Sequence, residues 1–275
     1  MNKIFLILLI TIFGLQINLW AQGDLLITPK RVVFEGNKQK EQLILINLGQ
    51  DTTTYSVSFV QRSMQENGSF SIIDKEGSGQ MFSDPYLRIF PRTVTLAPKE
   101  PQVIALQFRR KSGMKEGEYR SHLFFRSEKN YNPAGLVDPS QDTTLMSVQI
   151  IPIYGITIPI IIRVGKGTAN TTLSNIEIDY TQNTSPVLKL VINRTGNNSI
   201  YGTISVEYIP ENGKPYEIGI AKGVGVYTEI NKRSISIKLN KITKSTILKG
   251  KLKVKYFDGD DIKKNSYAEA ELELK

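Results

Sequence analysis

The chain has 275 residues, a formal net charge of +9, one histidine and no cysteine. Without cysteine there is no disulfide framework, thiolate metal site or thiol nucleophile, and a single histidine leaves little acid–base machinery for an enzyme. The 35 Lys and Arg are scattered through strand and turn patterns, which argues against a nucleic-acid arm and fits a solvated surface or attraction for acidic partners or anionic membranes.

Met1-Asn2-Lys3, the apolar residues 4–13 and the exit Leu19-Trp20-Ala21-Gln22 have the layout of a secretory signal peptide, residues 1–21, cut after Ala21. Its apolar core falls short of the ~20 residues that span a bilayer, and no later segment reaches that length, so the expectation is an exported chain with no stable membrane insertion. About 250 residues remain, enough for two domains of ~100 to 150 residues.

Period-two alternation then recurs along the chain, as in Tyr55-Ser56-Val57-Ser58-Phe59, Ser234-Ile235-Ser236-Ile237 and Lys251-Leu252-Lys253-Val254-Lys255-Tyr256, and predicts half-buried strands. Leu43-Ile44-Leu45-Ile46 lacks the alternation and is expected to be a strand buried on both faces. Turn chemistry separates the strands at Glu66-Asn67-Gly68, Glu211-Asn212-Gly213 and Asp258-Gly259-Asp260. No long amphipathic helix is evident. The pattern predicts an all-β protein of two immunoglobulin-like β-sandwich domains. Composition shifts at Arg163-Val164-Gly165-Lys166-Gly167, which sets the expected domains at residues 22–165 and 168–275, with a long loop over residues 127–142.

Reactive constellations are sparse. His122 lies in a strand pattern beside Leu123 and Phe124, where a structural role is expected. The turn Asp258-Gly259-Asp260-Asp261 is too short for a calcium loop, and Gly223-Val224-Gly225 lacks the third glycine and following helix of a phosphate loop. Neither an enzyme nor a metal or other cofactor is expected.

The unusual feature is the apolar run over residues 146–163, eighteen residues that could extend ~60 Å as a strand. One face would carry Met146, Val148, Ile150, Tyr154, Ile156 and Ile158, with Pro152 and Pro159 marking an edge or bulges. An apolar edge strand invites pairing with another chain, and β-strand addition to a partner is the expected use; a core strand with bulges is the alternative.

Several segments resemble the PapD-like periplasmic chaperones that assemble pili. Thr28-Pro29-Lys30-Arg31-Val32-Val33-Phe34-Glu35-Gly36 resembles their first strand, and Pro91-Arg92-Thr93-Val94-Thr95-Leu96-Ala97-Pro98 with Gln102-Val103-Ile104-Ala105-Leu106 resembles their central hairpin. Gly117-Glu118-Tyr119-Arg120-Ser121-His122-Leu123-Phe124-Phe125 resembles the strand before the donor strand, and residues 148–163 the donor strand itself. The match covers most of the first domain; in the second, only the strand pattern and the turn Tyr256-Phe257-Asp258-Gly259 resemble the family. The resemblance implies a boomerang of two immunoglobulin-like domains that completes the unfinished sandwich of a pilin-like subunit and hands it on, with an outer-membrane usher-type pore as a further partner and the periplasm as location. It implies Arg31 as the cleft arginine that holds the subunit's C-terminal carboxylate. The family's second cleft cation, a lysine, falls at Pro159, with Arg120 or Lys30 as stand-ins. Arg163 matches the junction arginine, expected to bridge to Asp258, with Glu118 or Arg120 at the position of the family's other acidic partner. An immunoglobulin-like structural or adhesive surface protein is the alternative.

Overall fold

The computed structural model describes residues 25–128, 154–181, 186–240, 249–259 and 266–274. The expected signal peptide, most of the loop over 127–142, and Met146, Val148 and Ile150 lie outside the described residues. Among the described residues no helix is long and apolar enough to cross a membrane.

The chain is all-β. The first sandwich comprises β1 (Leu25–Thr28), β2 (Val32–Phe34), β3 (Lys40–Asn47), β4 (Thr53–Val60), β5 (Arg62–Met64), β6 (Phe70–Ile72), β7 (Leu87–Phe90), β8 (Thr93–Leu96), β9 (Pro101–Phe108), β10 (Gly117–Glu128) and β11 (Gly155–Val164). One sheet has the order β1-β3-β9-β7 and the other β2-β11-β10-β4-β8, with β5 and β6 as a separate hairpin. Inward-facing Leu43, Leu45, Ile104 and Leu106 of one sheet meet Leu123, Phe125, Ile158 and Ile160 of the other in a single core. The period of two that places alternate side chains on one face explains this arrangement.

Leu43-Ile44-Leu45-Ile46 departs from its expectation of burial on both faces. Leu43 and Leu45 enter the core, whereas Ile44 faces outward and is exposed. An apolar residue at an outward position hides the alternation from a sequence reading without changing the pleat.

The second sandwich comprises β12 (Ala169–Asp179), β13 (Val187–Gly196), β14 (Ile200–Pro210), β15 (Tyr216–Val226), β16 (Lys232–Lys238), β17 (Gly250–Asp258) and β18 (Ser266–Leu274). Sheets β12-β13-β16 and β15-β14-β17-β18 enclose a core that includes Leu188, Leu190, Ile204, Val206, Leu252, Val254 and Tyr256. No sheet mixes strands up to β11 with strands from β12 onward. A small third cluster joins the two halves, with Met64 and Ile161 of the first packed on Tyr227 of the second.

Candidate functional site at the junction of the sandwiches

β2 runs parallel to β11, with Val32, Val33 and Phe34 opposite Ile160, Ile161 and Ile162. Val32 and Phe34 are buried in the core, so Arg31 and Val33 belong to the opposite face of the sheet, toward the second sandwich. Arg31 therefore stands beside Pro159. Its Nη2 donates to Ser199 Oγ at 3.5 Å, and its guanidinium lies 5.0 Å from the ring centroid of Tyr201. Its Nε is buried without a hydrogen-bond partner, and no described carboxylate is close enough to form an ion pair with it.

Arg163 is differently supplied. It stands opposite Glu118 in the β10–β11 ladder, and its Nε donates to Glu118 Oε2 at 3.1 Å. Its Nη1 reaches Glu35 at 3.3 Å, and its Nη2 donates to the carbonyl of Ser199 at 3.0 Å. Glu118 Oε2 also accepts from the Ser199 amide at 3.0 Å and the Ser199 hydroxyl at 2.8 Å, so this buried carboxylate is tied to both sandwiches. The expected bridge from Arg163 to Asp258 does not form. Asp258 is exposed at the end of β17, while Arg163 already has a carboxylate on the adjacent strand.

Arg120 closes the junction. Its Nη1 and Nη2 grip both oxygens of Glu229 at 3.0 and 2.5 Å, Nη2 also donates to the Arg62 carbonyl at 3.1 Å, and the guanidinium sits 3.9 Å from the Tyr227 ring centroid. The Met64 amide donates to Glu229 Oε1 at 2.6 Å. This is a two-pronged charge-assisted pair. Arg120 is thus committed to Glu229 and is not the second cleft cation that the lost lysine position left to be filled, whereas Lys30 is exposed.

The loop carrying Glu229 is held from behind by Arg194. That side chain, almost wholly buried, donates to the carbonyls of Thr228, Ile230, Gly196 and Asn198. On the other side the hairpin β5–β6 reaches across, its Glu66 carbonyl accepting from the Ser234 amide at 2.7 Å. Gly68 turns the hairpin with φ +82°, and a Cβ there would lie 2.6 Å from Arg233 Nη2. Sequence reasoning placed this turn but missed Glu229, Arg194 and Ser199.

His122 is buried, with its ring edge-on to Phe70 at 5.6 Å between centroids. Burial, then the neighbouring Arg120 and Arg62 charges, push its pKa down to about 3. At neutral pH it is an uncharged, weakly basic packing residue.

No protein-family model matches the sequence, and no curated protein matches it as a relative. Solved structures similar to it include the YadV chaperone, 12% identical, covering 92% of this chain and 100% of that one with a TM-score of 0.44. Another is the CsuC–CsuE chaperone–tip adhesion subunit complex of Acinetobacter baumannii, 12% identical over 91% and 98% of the chains with a TM-score of 0.42. A third is the Salmonella enterica SafA pilin with the SafB chaperone, 12% identical over 92% and 97% with a TM-score of 0.41. The likeness is one of fold.

The expected donor face needs correction within β11. Ile156, Ile158, Ile160 and Ile162 share one side of the strand, and that side is inward: Ile158 is 3% exposed in its own core, and Ile156 packs against the same cluster. Tyr154 precedes the strand and is exposed. The backbone tells a different story from the side chains. β10 pairs with β11 over residues 155–164, whereas β2 pairs only with Ile160, Ile161 and Ile162. Among the described ladders, residues 155–159 have a strand on one side alone. Pro159 sits just before β2 joins, near the open edge where a missing N–H is tolerated.

Proposed function

We propose that the chain is an exported, periplasmic chaperone that binds pilin-like or other surface-filament subunits by strand addition and hands them on for assembly, with an usher-type pore as a further partner. One observation carries the reading: the half-paired stretch of β11 ends beside Arg31, whose guanidinium has no described carboxylate partner. Arg163 and Arg120 are neutralised by Glu118 and Glu229, and Arg194 is saturated by carbonyls. Arg31 has neither. An extended segment paired along residues 155–159 and ending in a free carboxylate would satisfy both the open backbone and the Arg31 guanidinium, since backbone bonds supply affinity and a guanidinium fork replaces a carboxylate's lost hydration. Because Ile156 and Ile158 are turned inward, side-chain donation falls to Val148, Ile150 and Tyr154 ahead of the strand. Arg163, through Glu118 and Ser199, holds the two sandwiches that frame the cleft.

The test compares two synthetic copies of the C-terminal strand of a pilin-like subunit, one with a free carboxylate and one amidated. A hydrogen bond to a charged group contributes about 1.5–3 kcal/mol, so amidation or Arg31→Ala should each weaken binding by roughly 10- to 100-fold, and together by little more than either alone. Equal binding of the two peptides by the wild-type chain removes Arg31 as the anchor; no binding of either peptide or of the intact subunit removes the chaperone role.

A further inference from the structure

We propose that Tyr201 is a positioning residue for Arg31, held in a slot of the second sandwich so that the guanidinium is poised for a carboxylate; this rests on the chaperone function proposed for the junction. Tyr201 follows the core residue Ile200 on β14, so its side chain leaves the sandwich on the outer face of the sheet. Its partner across the ladder is Gly225 of β15. A Cβ at Gly225 would lie 3.4 Å from Tyr201 Cδ2, and one at Gly223 would lie 3.1 Å from Tyr201 Oη. The ring therefore runs along β15 from one glycine to the other, through space that side chains would otherwise fill. Val224 between them is buried in the core. The run Gly223-Val224-Gly225, which lacks the features of a phosphate loop, serves here as the floor beneath an aromatic ring.

The Arg31 guanidinium lies over that ring, 5.0 Å from its centroid and within cation–π range. Its Nη2 donates to Ser199 Oγ, whose own proton goes to Glu118 Oε2. Ring and hydroxyl together fix the plane of a long side chain that would otherwise rotate freely. The kind of guide matters. Arg163 and Arg120 are oriented by carboxylates, which also neutralise them. A ring face attracts a guanidinium without cancelling its charge, so Arg31 is aimed while its capacity for an incoming carboxylate is kept. Ordering the side chain beforehand lowers the cost of binding. Arg31 belongs to the first sandwich and both guides to the second, so the anion site is complete only while the two are docked.

The free-acid and amidated peptides described above read this directly. Tyr201→Leu should weaken binding of the free acid by roughly 3- to 10-fold and leave the amidated peptide within about 2-fold of wild type. Tyr201→Phe keeps the ring face and should retain the wild-type preference for the free acid. Gly225→Val fills the slot and should reproduce the Tyr201→Leu loss with both Arg31 and Tyr201 still present. In an Arg31→Ala background Tyr201→Leu should add nothing, because the two residues act as one unit. Thermal unfolding of each variant separates a displaced guide from a damaged fold.

Three results overturn the proposal while leaving Arg31 as the anchor: a Tyr201→Leu variant with its preference for the free acid intact, one that loses both peptides equally, or a Tyr201→Phe variant as deficient as Tyr201→Leu. Equal binding of the two peptides by the wild-type chain overturns the carboxylate site itself, and the positioning role with it.

Discussion

Glu229→Ala should cost about 3–5 kcal/mol, the range for breaking a buried ion pair by removing one partner. Arg120 and Glu229 are 6% and 5% exposed at the side chain, and the guanidinium is packed on Tyr227. Removing the carboxylate strands that charge and also takes the acceptor from the Met64 amide. The sandwiches can part and let Arg120 into water, so the loss should show first as the unfolding transitions of the two sandwiches moving apart relative to wild type. Urea unfolding followed by far-ultraviolet circular dichroism measures it. Arg120→Met combined with Glu229→Leu should recover most of the stability, because replacing a whole buried pair by apolar groups is often neutral or stabilising. A single variant that loses under about 1 kcal/mol would mean that the pair does not clamp the junction.

The same junction explains what a sequence reading can and cannot reach. Strand patterns such as Tyr55-Ser56-Val57-Ser58-Phe59 were legible because burial follows the pleat, and Tyr55 and Val57 do enter the core. Arg31 and Arg163 could be singled out through the motifs around them, and both reach toward Ser199. Glu229, Arg194 and Ser199 could not, since their roles depend on which loop of one sandwich abuts which strand of the other, and no local periodicity encodes that. The parity errors at Ile44 and Ile158 share a cause. In the run Ile156-Thr157-Ile158-Pro159-Ile160-Ile161-Ile162 too many positions are apolar for the pattern to say which side faces the core. The register with β10, where Leu123 lies opposite Ile158, is what turns Ile158 inward. Asp258 failed for a simpler reason: a carboxylate one strand away, Glu118, outcompetes one that must be reached across the junction.

Acid should destabilise the chain through His122, the second large effect. In the folded protein this imidazole takes up its proton only near pH 3, because burial, Arg120 and Arg62 all disfavour the charged form. In the unfolded chain it does so near the ordinary value of about 6.5. Between those limits the unfolded state carries the extra proton, so stability is fully present above about pH 6.5 and is lost as pH falls toward 3, at no more than about 1.4 kcal/mol per pH unit for one proton. His122→Leu keeps an apolar side chain against Phe70 and removes the titration. It should leave stability at pH 7 within about 1–2 kcal/mol of wild type, exceed wild type at pH 4, and make the stability curve shallower by one proton. The rest of the chain is the same in both proteins, so the difference between the two curves isolates the histidine. Parallel curves from pH 7 to 4 would mean that water or a structural adjustment admits the proton to the folded protein, and that the face beside Phe70 opens readily to solvent.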